Sequence, residues 1–340
     1  MDASPTAKVA TAEVDARNEL NENRSTSDPR ELGVPKEVVH EAARALRNAD
    51  ASLGTFLGPL SETPAEGAPA QLDEAFIKQS HHKKRSPLRR IRAWSDRTAS
   101  LALGNASDHV LAMQRVLEAG EPVNVWPCVS LSRVVMEGCV RVCYARDPRA
   151  TSEERFARAA AAWLESSQQH LVAAREFYPE KTLKEAKEAW EEAEQKVMAA
   201  GMAIGRYKGK PSRVTFGETT VNLSPSLVDI LRTRHSHIPS WYRISSGASH
   251  NTTWLVQQAA ATSKDGTLSL RADPATIIAA TLAVLGAYED VTETFGTYFG
   301  HERTAAAVRT LQLRAQAMVA LGGKWRQQMK IDVRQVLQSP

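Results

Sequence analysis

The segment Trp241-Tyr242-Arg243-Ile244-Ser245-Ser246-Gly247-Ala248-Ser249-His250-Asn251 holds the residues best suited to chemistry, Arg243 and His250. They lie seven positions apart, which is two turns of an α-helix, so a helical segment sends both side chains from one face. A guanidinium holds phosphate with a fixed charge, and an imidazole moves a proton near neutral pH. Ser246 shares the face, three residues after Arg243 and four before His250. Asn251 follows directly, and Gly247 lets a backbone or a ligand approach closely. The strip suits a phosphate or a sugar hydroxyl. The competing reading is a helix-packing position with a satisfied histidine. Spacing alone decides little, because a second pair, Arg232 and His237, straddles an expected helix end before Pro239, where basic groups complement the helix dipole.

A second constellation sits earlier. Arg133, Glu137 and Arg141 recur every four residues inside an otherwise apolar stretch that begins at Pro127 and runs to about Arg146. Buried charges are costly unless paired, so this stripe must meet polar partners or line a cleft. It reads either as an ion-pair ladder at the rim of the core or as support for a site.

Other chemistries find no foothold. There is no Gly-rich phosphate loop, no Gly-x-Ser-x-Gly elbow and no paired-carboxylate signature. Cys128, Cys139 and Cys143 are too few for a disulfide framework and read as buried thiols in a reducing, cytoplasmic setting. No histidine joins them at zinc spacing, so neither a metal nor another cofactor is expected. The formal net charge of +4 permits contact with nucleic acid without requiring it. Met1-Asp2-Ala3-Ser4-Pro5 opens no apolar run, and the most apolar stretch, Ala275 to Ala287, is short for a span; it reads as a buried helix, and no membrane association is expected.

The elements that must position these residues read as an all-α helical bundle with a small β-hairpin insertion and a largely disordered N-terminal region. Residues 1–34 are polar and aperiodic, the signature of a disordered tail. A short helix is expected over 35–57, opened by Pro35. Residues 58–96 read as a basic, Pro-rich linker ending in His81, His82, Lys83, Lys84, Arg85, Arg89, Arg90 and Arg92; a nucleic-acid or phospholipid contact is one reading, a solvated edge the preferred one. Residues 97–322 form the helical domain, with a helix and hairpin insertion over 178–222. Thr151-Ser152-Glu153-Glu154 marks a helix start. The Glu-, Ala- and Lys-rich helix from Thr182 should protrude as an antiparallel pair with its predecessor. A hairpin turns at Gly217-Glu218, Pro239 to about Ala261 is helical, and Gly322-Gly323 stops the last helix before a tail at 323–340.

The pairing of Arg133-x3-Glu137 on one apolar helix with Tyr242-Arg243-x6-His250 on a later one resembles the HEPN-type all-helical proteins, in particular uncharacterised actinobacterial members related to abortive-infection and toxin families. The resemblance spans roughly residues 97 to 300. It implies an RNA-directed protein, a candidate metal-independent endoribonuclease with a defence or toxin role. His250 would be the acid/base and Arg243 the phosphate binder. Arg133, Glu137, Ser246 and Asn251 would support them. RNA and a second copy of the chain would be the partners. Where active relatives place a polar residue directly after the arginine, this chain has Ile244. The alternative is a non-catalytic helical interaction or scaffold protein in which the same residues form a polar network.

Overall fold

The computed structural model describes residues 34–57, 64–119, 123–177, 179–234, 238–250, 260–262, 268–270, 274–301 and 305–329. Along the chain run α1 (Lys36–Leu57), α2 (Pro69–Gln79), α3 (His82–Glu118), α4 (Val125–Ala145), α5 (Ser152–Phe177) and α6 (Glu180–Ala199). Strands β1 (Ala203–Tyr207), β2 (Lys210–Phe216) and β3 (Thr219–Asn222) follow. Then come α7 (Leu227–Arg234), α8 (Ile238–Ser249), β4 (Ala260–Thr262), β5 (Leu268–Leu270), α9 (Pro274–Phe299) and α10 (Ala305–Met329). The expected all-α bundle with a small β insertion is what the chain forms. The tail expected over 1–34 lies outside the described residues, apart from Val34.

Two cores share the helices. The first gathers α1, the C-terminal half of α3, α4, α9 and α10, with Leu46, Val110, Met113, Val135, Tyr288 and Leu321 fully buried. The second gathers α2, the N-terminal half of α3, α5, α6 and the three-stranded sheet, through Ile77, Leu88, Ile91, Leu164, Val197 and Val214. Helix α4 is apolar apart from its Arg133-Glu137-Arg141 stripe and is pressed between α3 and α9, as a helix with so broad an apolar surface must be. Helix α9 is long and apolar enough to cross a bilayer by composition alone, and 67% of its most apolar window is buried.

Local chemistry explains the boundaries. The Thr151 hydroxyl accepts the Glu154 N–H at 3.1 Å and caps α5, satisfying a donor that the first turn leaves open. The sheet is an antiparallel meander in the order β1-β2-β3. Gly217, at φ 57°, supplies the left-handed first position of the expected Gly217-Glu218 turn. Strand β1 extends that hairpin by one strand, joined to β2 through Lys208 and Gly209, at φ 50° and 78°. Two successive left-handed residues match the twist of a tight hairpin.

Four expectations need correction. The linker read over 58–96 is helical from Pro69 onward, in α2 and α3. Pro69 opens α2, and Leu88, Ile91 and Ser95 bury one stripe of α3 beneath its arginines; the dense charge belongs to that helix's outer face. Helix α6 does not protrude, since Ala186, Ala193 and Val197 are buried and Arg90 of α3 pairs with its Glu192. Of the helix expected to about Ala261, α8 runs to Ser249, residues 251–259 lie outside the described ones, and Ala260–Thr262 forms a strand paired with Leu268–Leu270; the Asp265-Gly266 turn lies outside the described residues. Gly322 and Gly323 do not stop α10, which continues to Met329. Glycine inside a helix costs about 1 kcal/mol but does not forbid it.

Candidate functional site

Helix α8 is fastened to α4 by two adjacent residues. The Trp241 indole N–H donates to Ser132 Oγ at 3.3 Å, and the Tyr242 hydroxyl donates to Glu137 Oε1 at 3.2 Å. Arg133 Nε donates to the same carboxylate oxygen at 2.7 Å, and its guanidinium carbon lies 5.5 Å from the centre of the Tyr242 ring. The three side chains form one partly buried cluster. Burial, and then the negative charge of Glu137, raises the Tyr242 pKa above the ordinary phenol value. Burial also works against the charge of Arg133, but the hydrogen bond and charge of Glu137 outweigh it and hold its pKa above the ordinary arginine value.

Thus the Arg133-Glu137-Arg141 stripe divides. Its first two members meet Tyr242, while Arg141 turns to Glu165 of α5, with Nη1 3.4 Å from Oε2. Ser224 Oγ donates to the other Glu165 oxygen at 2.8 Å.

Arg243 and His250 are both exposed, and Ser246 is half-buried. The His250 backbone N–H donates to Ser246 O at 3.1 Å, so the helical path carries one residue beyond α8. Seven residues of helix separate the two side chains by about 10 Å along the axis and only about 20° around it. They therefore emerge on one outward face. Ser245, by contrast, is buried and its hydroxyl donates to Tyr242 O at 3.0 Å, so it is spent on the helix itself. The structure brings Arg133 and Glu137 together with Tyr242. It joins neither to Arg243 or His250 by a described hydrogen bond or ion pair. Asn251 lies outside the described residues, as does His237 of the second Arg/His pair; Arg232 is tied to Asp229 at 3.0 Å.

A deeply buried charged cluster was not legible from motifs. Asp73 of α2 and Arg155 of α5 have side chains only 4% and 3% exposed. Arg155 Nη2 donates to Asp73 Oδ1 at 2.7 Å and Nε to Oδ2 at 3.0 Å, while the Tyr298 hydroxyl of α9 donates to Oδ2 at 2.9 Å. Arg146 and Arg155 both lie over the Tyr298 ring, at 5.5 and 5.7 Å. Arg155 follows Ser152-Glu153-Glu154 in the polar first turn of α5, where a charge attracts no notice.

All three cysteines are free and buried. Among the described residues no group of His, Cys, Asp and Glu is arranged to hold a metal ion. Comparison with protein-family models, with curated proteins and with solved structures finds no match in any of the three.

Proposed function

We propose that the protein is an RNA-directed, HEPN-like protein and a candidate metal-independent endoribonuclease, with Arg243 and His250 as its working pair. The observation that carries this reading is that both side chains are exposed on one outward face of a helix whose inner face is fastened to α4. A substrate can reach them, and the helix beneath is held. His250 would take the proton from an RNA 2′-hydroxyl as that oxygen attacks the adjacent phosphorus. The bond to the 5′-oxygen then breaks, the imidazolium returns its proton to the leaving oxygen, and a 2′,3′-cyclic phosphate and a free 5′-hydroxyl result. Arg243 would hold the phosphate as its negative charge builds. Arg133, Glu137 and Tyr242 would position α8 rather than touch RNA. As the resemblance implies, a second copy of the chain would complete the site.

A helical scaffold is the second reading. The observation favouring it is the Arg133-Glu137-Tyr242 cluster, whose members satisfy one another. The separating experiment is incubation of wild type, Arg243→Ala and His250→Ala with total RNA in the presence of a chelator. The nuclease reading expects cyclic-phosphate products from wild type and at least a ~100-fold slower rate from His250→Ala with unchanged circular dichroism. Intact RNA with wild-type protein would leave the scaffold reading.

A further inference from the structure

The third member of the α4 charge stripe, Arg141, stands at a different site. A pocket of about 330 Å³ lies between the middle of α3, the end of α4, α5 and the segment joining β3 to α7. Its concavity comes from small side chains: Ala99 and Ala102 on α3, Ala161 and Ala162 on α5. The rings of Trp94 and Tyr144 supply aromatic wall, and Val221, Leu223 and Ile230 add aliphatic surface. Hydrogen-bonding groups collect at the rim, where Arg141, Ser166, Gln169 and Asn222 are exposed. Predominantly apolar walls with a few convergent polar groups are the usual anatomy of a small-molecule site.

Each charged side chain of the lining has an opposite charge beside it. Arg141 faces Glu165 across 3.4 Å. Arg158, which lies 4.1 Å over the Tyr144 ring, is met by Glu154 and by Asp147 at 3.6 Å. An ion entering the pocket would lose water and find no uncancelled opposite charge. A neutral guest gives up little. Arg141 is 51% exposed and its contact with Glu165 is long, so its N–H groups can serve a guest's acceptor while Glu165 takes a guest's donor. The size also narrows the guest, because an apolar cavity of about 150 Å³ holds one benzene ring; this pocket takes about two rings.

We propose that the pocket binds a small uncharged molecule, apolar over a body of about two fused rings, with one end that both donates and accepts a hydrogen bond at Arg141 and Glu165. This site stands apart from the proposed RNA chemistry, since neither Arg243 nor His250 lines it.

The test uses the full chain and two probes, 2-naphthol and its charged analogue 2-naphthoate, followed by ligand-observed NMR. Two substitutions fill the space at half-buried positions, Ala162→Phe and Ala102→Phe. Wild type should bind 2-naphthol saturably and 2-naphthoate at least tenfold more weakly. Each filled variant should weaken 2-naphthol at least tenfold while keeping the wild-type circular dichroism. A variant that loses its fold is set aside for the other, and the wild-type titrations stand without either. No saturable binding of 2-naphthol, binding undiminished in a folded filled variant, or equal affinity for naphthoate would overturn the proposal.

Discussion

Removing one partner of the Asp73–Arg155 pair should be among the most damaging single changes in the described chain. Both side chains are almost wholly buried, and Arg155 reaches its carboxylate from two nitrogens. In Arg155→Met the Asp73 carboxylate keeps only the Tyr298 hydroxyl among its described partners. A buried charge stripped of its counter-charge costs about 3–5 kcal/mol. Asp73→Asn is milder. The amide oxygen still accepts from Tyr298, and Arg155 keeps the carbonyl oxygens of Pro69, Asp147 and Ala150; about 2 kcal/mol is expected, within the range for hydrogen bonds to a charged group. The double replacement Asp73→Asn with Arg155→Met removes both charges together. It should cost clearly less than the summed singles, by at least ~2 kcal/mol, because neither charge is then left buried without its partner. Urea unfolding followed by tryptophan fluorescence measures all four proteins, since Trp94 and Trp163 stack at 5.7 Å beside this junction's second core. Additive losses, or an Arg155→Met cost below about 1 kcal/mol as for a surface pair, would refute the reasoning.

Two smaller outcomes follow from other features. Burial pushes the Cys128 thiol up to about 12 and raises that of Cys139, where the neighbouring Cys143 and Asp290 add to the effect. Since the thiolate is the reactive form, native protein at pH 8 should give no rapid reaction with Ellman's reagent, and unfolded protein should release three equivalents; one fast native thiol would contradict the burial. Thr151→Ala should lose about 1 kcal/mol through the missing cap on α5, and Thr151→Ser should restore it; equal melting temperatures for all three would show the cap to be idle.

The helical class was legible because apolar periodicity over α4, α6 and α9 survives any choice of neighbours. The α5 start was legible for the same reason, since a capping threonine acts within one turn. The region at 69–96 was misread because its charges outnumber its apolar residues, and only packing against α5, α6 and the sheet shows that Leu88 and Ile91 face inward. Strand β1 escaped notice because Lys208-Gly209 lacks the Asn-Gly or Asp-Gly pattern of a tight hairpin. At the candidate site, Arg133 and Glu137 could be seen to need a polar partner. That Tyr242, next to Arg243, would be that partner depends on a contact across 105 positions of chain. Asp73, Arg155 and Tyr298 sit on three separate helices, and no local pattern links them.

Helix α3 enters one core by Leu88 and Ile91 and leaves through the other by Leu103, Val110 and Met113. At 37 residues it is a rod of about 55 Å. A rod embedded at both ends allows no swivel between the two halves it joins. Strain placed on the sheet end can relax only by bending that rod or by pulling it out of the helices packed around α4. The halves should therefore lose their structure together on heating, as one calorimetric event.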